Sequence, residues 1–242
     1  MIADQTRPDD LEERGGNLRF LQAILAEVPL VHDSRILEIG CGTAVLGMFL
    51  GAVTGAEIYG TERSLELESI ANTRIHCLFC PDGNIPERLE PFDLIYCKDT
   101  LMMVNDKQRF YSSVRSHLRD GGAFCTYLPD ESDHQRKPLF SFIPCGLETS
   151  RFSYGSLEKN LELLKECGFE NVFTRRLFLG SVEMDEKYVR RHWDGYFSNS
   201  DSHVYEEERA AGLSKLREVL TKLEDFGILV SYEWERTMVI AR

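Results

Sequence analysis

Positive charge is scarce in this chain. Lys and Arg total 28 against 40 Asp and Glu, which leaves a formal net charge of -12. Binding to DNA or RNA takes most of its affinity from Lys and Arg on phosphates, so the balance argues against a nucleic-acid partner. Long apolar runs are missing as well: none approaches the ~20 residues needed to cross a bilayer. Met1 to Asp10 is polar and acidic and lacks the basic start and apolar core of a signal peptide. A soluble, cytoplasmic chain with no membrane partner is expected. No internal repeat is visible. The 242 residues, 43% of them apolar, are therefore read as one core and one domain spanning 1–242.

Paired cysteine motifs are equally thin. The seven cysteines are an odd number, and Cys77, Cys80, Cys97, Cys125 and Cys167 fall in predicted strands or helices, as buried, reduced thiols do. Cys77-Leu78-Phe79-Cys80 has the spacing of a zinc ligand pair. In a strand, however, residues three apart point to opposite faces, and no second Cys or His pair follows nearby. No metal is expected.

What the chain does have is the run Arg35-Ile36-Leu37-Glu38-Ile39-Gly40-Cys41-Gly42-Thr43-Ala44, a short apolar strand ending in an acid and a Gly-x-Gly turn that opens a helix. Without Cβ atoms, Gly40 and Gly42 let the backbone turn sharply and approach a ligand at a helix start whose N–H groups are free. Cys41 sits inside the turn, where its backbone matters more than its sulfur. Twenty residues past Gly42, in Ile58-Tyr59-Gly60-Thr61-Glu62, a second strand should end and present the Glu62 carboxylate to ribose hydroxyls. A dinucleotide site needs a third glycine where this chain has Val45. That mismatch argues against NAD or FAD and for a nucleoside cofactor without phosphates.

On these residues the chain resembles the class I, Rossmann-like S-adenosylmethionine (SAM) methyltransferases, whose first motif is an apolar strand, Glu or Asp, then Gly-x-Gly. Ala44 departs from the glycine common at its position. The resemblance continues in order over about two thirds of the chain. Phe79-Cys80-Pro81-Asp82-Gly83 stands where the family's third strand ends, with an Asp that often meets the adenine amino group. Phe92 to Asp99 matches the fourth strand. Lys107 to Leu118 reads as a helix, followed by Arg119-Asp120-Gly121-Gly122 as a glycine turn into strand five, Ala123 to Leu128. Gly168-Phe169 and a last strand, Trp234 to Arg242, complete the pattern. Two features are distantly similar to the phosphoethanolamine and related amine N-methyltransferases: the Gly15-Gly16 pair ahead of the first motif, and Lys98-Asp99-Thr100-Leu101-Met102-Met103-Val104-Asn105-Asp106-Lys107. In the second, Met103 replaces the family's histidine, and Met102 and Met103 are read as apolar packing under the cofactor. The resemblance implies SAM as cofactor, held by Gly16, Glu38, Gly40, Cys41, Gly42, Glu62, Arg63, Asp82, Gly83, Lys98 and Asp99. Asp99 equally suits a helix cap.

The implied fold is α/β: a doubly wound, mostly parallel seven-stranded sheet with an antiparallel last strand and a helical lid insertion. Strands alternating with helices up to Leu128 require right-handed crossovers, which place the ligand at the carboxyl ends of the strands. An N-terminal helical segment within 1–34 is expected, Leu11 to Val28, interrupted at Gly15-Gly16 and carrying a stripe of Leu18, Leu21, Ile24, Leu25 and Val28. Pro129 to Gly155 has no sustained periodicity and reads as a long loop, either part of the acceptor pocket or a solvated surface segment. A helix, Leu157 to Cys167, ends at Gly168 and leads into a strand, Asn171 to Phe178. The lid is expected at about 183–226. Its first part puts Tyr188, His192 and Tyr196 on one helix face, and its second carries Leu213, Leu216, Leu220 and Leu223 at helical spacing.

The expected activity is methyl transfer to nitrogen or oxygen of a small-molecule acceptor, in specialised metabolism. An in-line transfer needs the acceptor positioned and water excluded, and one pocket His, Tyr or carboxylate to take a proton. His192 and His134 are the candidates, followed by Tyr188 and Tyr196; each has an ordinary packing or surface alternative. Two other readings keep the same cradle. One is an intramolecular cyclisation of SAM that releases methylthioadenosine, and the other is a non-catalytic SAM-binding subunit.

Overall fold

Arg35–Ile39 is buried along nearly its whole length, the pattern of a central parallel strand covered on both faces. In the computed structural model, which describes residues 11–128, 155–183, 206–228 and 230–242, this segment is β1 of a seven-stranded sheet. The others are β2 (Glu57–Glu62), β3 (His76–Phe79), β4 (Phe92–Cys97), β5 (Leu118–Leu128), β6 (Val172–Glu183) and β7 (Ser231–Ala241). Their order is β3-β2-β1-β4-β5-β7-β6. β1 to β5 pair in parallel, and β7 runs antiparallel between β5 and β6. The chain winds outward from β1 to β3 and then returns to β4 on the other side of β1. The carboxyl ends of β1 and β4 thus form the switch point at which doubly wound sheets leave a crevice for ligands.

Strand alternation splits the core into two. Ile36, Ile58, Leu94, Tyr96 and Cys125 face a layer that includes α1 (Leu11–Glu27) and α2 (Val45–Thr54), whereas Leu37, Ile39, Ile95, Cys97 and Phe124 face α4 (Lys107–Ser116) and α5 (Leu157–Glu166). Helix α3 (Leu65–Ala71) follows β2, and α6 (Glu206–Asp225) precedes β7. Helix starts follow local chemistry. The side chains of Ser64, Asp106 and Ser156 accept from the N–H of Leu67, Arg109 and Lys159, capping α3, α4 and α5. In α6 Leu216 is fully buried, in line with the expected leucine stripe. No helix among the described residues is long and apolar enough to cross a membrane.

Several local expectations are corrected. Helix α1 runs without interruption through Gly15 and Gly16. Two glycines cost roughly 2 kcal/mol of helix propensity, but the helix docks: the Tyr127 hydroxyl on β5 donates to the Gly16 carbonyl at 3.3 Å, and Phe20 stacks at 4.4 Å from the Tyr127 ring. Its buried face is Phe20, Leu21, Ala23, Ile24 and Val28, while Leu18 and Leu25 of the expected stripe are exposed. Arg119 to Gly122 do not precede β5 but lie inside it. The register with β4 jumps from Phe92↔Leu118 to Leu94↔Ala123, so these residues bulge out. β6 and β7 extend past the expected strands and pair out to Glu183↔Ser231.

Candidate functional site

Three strand ends meet at the switch point. After β1 the chain turns through Gly40, Cys41 and Gly42, with Gly40 at φ +67° and Gly42 at φ +55°. The N–H groups of Gly40 and Cys41 both donate to the Thr61 carbonyl near the end of β2, at 2.9 and 3.0 Å. Gly40 is pressed from the β4 side: a Cβ there would stand 2.5 Å from Thr100 Oγ1. That hydroxyl lies within reach of two carbonyls, Ile39 at 3.1 Å and Lys98 at 3.2 Å. A Cβ on Gly42, in contrast, would meet nothing within 4 Å. One glycine is required by the protein's own packing and the other borders open space. Ala44, at φ +57° and fully buried, takes the left-handed conformation that glycine adopts freely; a non-glycine residue there costs roughly 1–2 kcal/mol.

Glu62 closes the turn. Its Oε2 accepts from Gly42 N at 2.9 Å, and its Oε1 accepts from Arg63 N at 2.7 Å and Ser64 N at 2.9 Å. The carboxylate thus holds the β1–α2 turn against the start of α3. A carboxylate has about four acceptor positions, so three amides leave it further capacity. From the next residue, Arg63 Nε reaches the Pro81 carbonyl at 3.3 Å, and Gly83 lies against the Arg63 side chain. Asp82 is exposed. Its carboxylate accepts from the Asn84 side chain at 2.6 Å and the Asn84 N–H at 3.1 Å, bonds that hold it below the usual carboxylate range.

Glu38 lies beneath this surface, almost wholly buried, with Oε2 accepting from Gly47 N in the first turn of α2 at 3.0 Å. A Cβ on Gly47 would come within 2.8 Å of that oxygen, so glycine suits this close contact. Burial pushes the Glu38 carboxyl up to about 8, against the opposing pull of Tyr96, Gly47 and Lys98. Tyr96 is its register partner on β4. The buried Tyr96 hydroxyl makes no hydrogen bond of normal geometry among the described residues, and its influence on Glu38 is outweighed by burial. On the far side of the turn Lys98 pairs with Asp99 at 2.6 Å, and Asp99 adopts φ +55°.

The fold therefore gathers Gly40, Cys41, Gly42 and Glu62 into one contact set, with Arg63, Asp82 and Gly83 on one flank and Lys98 and Asp99 on the other. Glu38 supports the set from below, and Gly16 is tied to β5. His134, Tyr188, His192, Tyr196 and residues 184–205 of the expected lid lie outside the described residues. Asp99 is not the cap of α4; Asp106 is. Met103 does not pack under the site, being 63% exposed, whereas Leu101 beside it is buried. Thr100 and Gly47 were not singled out in the sequence. Their roles depend on contacts 61 and 9 residues away in the chain, although the position of Thr100, directly after Asp99 in the segment that follows β4, is a usable signal.

A family model described as a methyltransferase domain matches residues 12–173. The chain is 20% identical over 228 residues to phosphoethanolamine N-methyltransferase 1 of Zea mays, covering 89% of this chain and 44% of that protein. It is 21% identical over 190 residues to the phosphoethanolamine N-methyltransferase of Plasmodium falciparum, covering 73% of this chain and 70% of the other. This chain thus spans less than half the length of the maize relative. A solved structure from Anabaena variabilis, a candidate methyltransferase of an antibiotic biosynthesis pathway, superposes with a TM-score of 0.68 at 16% identity over 93% of this chain and 97% of that one. At that identity the likeness concerns the fold.

Proposed function

The chain belongs to the methyltransferase-domain family, and on that premise we propose that it is a SAM-dependent methyltransferase acting on nitrogen or oxygen of a small-molecule acceptor. The observation that carries the reading is the contact between Glu62 and the Gly40–Gly42 turn at the switch point of the sheet. It puts a carboxylate with spare acceptor capacity beside a backbone bend whose outer face is open, as a nucleoside without phosphates requires. The names of the relatives, enzymes of phosphoethanolamine methylation, support a small-molecule acceptor. The charge of -12 supports the exclusion of nucleic acid.

Bound SAM supplies a methyl group already activated on a sulfonium sulfur. The protein's share is positioning. Glu62 would take the ribose hydroxyls; Gly40, Cys41 and Gly42 would let the backbone approach; Asp82, Gly83 and Arg63 would border the base; Lys98, Asp99 and Gly16 would border the amino-acid end. Glu38 acts through Gly47, fixing the start of α2 rather than touching the ligand. The insertion at about 183–226 is assigned as a helical lid that excludes water. One of His192, His134, Tyr188 and Tyr196, in that order of preference, is assigned as the group that takes the acceptor's proton.

The test is incubation of the full chain with labelled SAM and a pool of small metabolites. Labelled methyl product with stoichiometric S-adenosylhomocysteine supports the reading. Methylthioadenosine in place of S-adenosylhomocysteine overturns methyl transfer, and turnover only after a second chain is added points to a binding subunit.

A further inference from the structure

Cys41 and Cys77 stand 36 residues apart in the chain, yet their Sγ atoms lie 3.4 Å apart and both residues are buried, free thiols. β2 brings them together. Cys77 is the register partner of Gly60, and because Gly60 has no side chain nothing separates the two sulfurs: a Cβ on Gly60 would sit 2.8 Å from Cys41 Sγ. The Cys77/Cys80 spacing is thus not the meaningful pair. Cys77 faces the glycine turn, whereas Cys80 lies past the end of β3, where its N–H donates to the Glu62 carbonyl at 2.7 Å.

We propose that Cys41 and Cys77 are an oxidisable dithiol, closed by peroxide to a disulfide that pulls the glycine turn out of its binding shape. The consequence for binding rests on reading that turn as the cofactor cradle; formation of the bond does not. Disulfide sulfurs are about 2.05 Å apart, so one side must move by more than an ångström. β3 is hydrogen-bonded in register to β2 over four residue pairs, while the turn carries two positive-φ glycines flanking Cys41. The turn is the side that yields.

The chemistry balances without a metal or a second protein. The Cys77 thiolate attacks one oxygen of hydrogen peroxide, the O–O bond breaks, and the departing hydroxide takes up a proton to leave as water, giving a Cys77 sulfenic acid. The Cys41 sulfur then attacks the sulfenic sulfur; the S–S bond forms, the S–O bond breaks, and the hydroxide leaves with the Cys41 proton as a second water. The contact between the two sulfurs lowers Cys77 below the ordinary thiol range and, together with burial, pushes Cys41 up. Cys77 is therefore the attacking sulfur. The Glu62 carboxylate opposes a thiolate at Cys41, and those of Glu62 and Glu68 oppose one at Cys77.

In the test, the full chain is treated with hydrogen peroxide, its remaining thiols are alkylated and its peptides are mapped by mass spectrometry. Wild type and Cys80→Ser are expected to yield a linked Cys41–Cys77 peptide two hydrogens lighter than the separate peptides, and Cys77→Ser is not. Hydrogen exchange at Gly42 to Leu46 is expected to accelerate about fivefold on oxidation and to recover with dithiothreitol. Affinity for S-adenosylhomocysteine should fall about tenfold in oxidised wild type and hold in peroxide-treated Cys77→Ser. Alkylation of both Cys41 and Cys77 after peroxide has oxidised the more exposed Cys167 overturns the proposal. So does a linked peptide with unchanged exchange. Should the reduced protein ignore S-adenosylhomocysteine, the cofactor assignment fails by itself, and the peptide map and exchange rates still decide the dithiol.

Discussion

The Glu62 carboxylate accepts the Gly42 N–H at 2.9 Å, so the acid ending β2 holds the turn that follows β1. It does so while also accepting from Arg63 and Ser64. One side chain thereby sets the spacing between two strand ends. Glu62→Ala should weaken S-adenosylhomocysteine binding by about 1–3 kcal/mol, the loss expected for hydrogen bonds to a charged group. Calorimetry that finds the affinity unchanged would remove Glu62 from the site.

The two turn glycines should separate stability from binding. Gly40→Ala puts a methyl 2.5 Å from Thr100 Oγ1 at φ +67°, combining overpacking with backbone strain, and is expected to cost about 2–4 kcal/mol of stability. Gly42→Ala meets nothing within 4 Å; it should cost only about 1 kcal/mol through its positive φ while reducing ligand affinity. Thermal unfolding paired with calorimetry distinguishes them. Equal melting losses for both variants would contradict the geometry.

Glu38 gives the protein a pH signature. Its carboxyl is raised by burial from 4.5 to about 8 in the folded state, so between those values the native chain keeps a proton that the unfolded chain releases. This contribution to stability is full below about 4.5 and is lost as pH rises through about 8, a change on the order of 3–5 kcal/mol. Glu38→Gln cannot ionise but can still accept from Gly47 N. Urea denaturation across this range should show a falling profile in wild type and a flatter one in the variant; parallel profiles would refute it.

Thr100 should act through its hydroxyl. Thr100→Val keeps the shape against Gly40 but removes the bond to Ile39 or Lys98, at an expected cost of about 1 kcal/mol. Thr100→Ser should retain most of that stability in denaturant titrations. If valine proves neutral, the hydroxyl does not brace the turn.

Much of the sheet was legible because its signals are local. Ile36, Leu37 and Ile39 alternate between two cores while Gly40 and Gly42 force a turn, and both facts depend only on neighbours in the chain. The pairing of Gly42 with Glu62 was legible too, since a βαβ unit fixes the distance between consecutive strand ends. Pair geometry across non-consecutive strands was not. Thr100 against Gly40 joins β4 to β1, and Cys41 beside Cys77 depends on Gly60 leaving a gap.

Spacing and residue chemistry along the chain were enough for the strand and turn periodicities, for Glu38 and Glu62 near the ends of β1 and β2, and for the excess of acidic over basic residues. Only the tertiary structure decided that α1 would run through Gly15 and Gly16, that Arg119 to Gly122 would bulge within β5, and that Met103 would face outward. For α1, docking on β5 outweighs a local preference worth about 1 kcal/mol per residue; for Arg119 to Gly122, the register of β5 on β4 does so; no pattern along the chain records which element will be there.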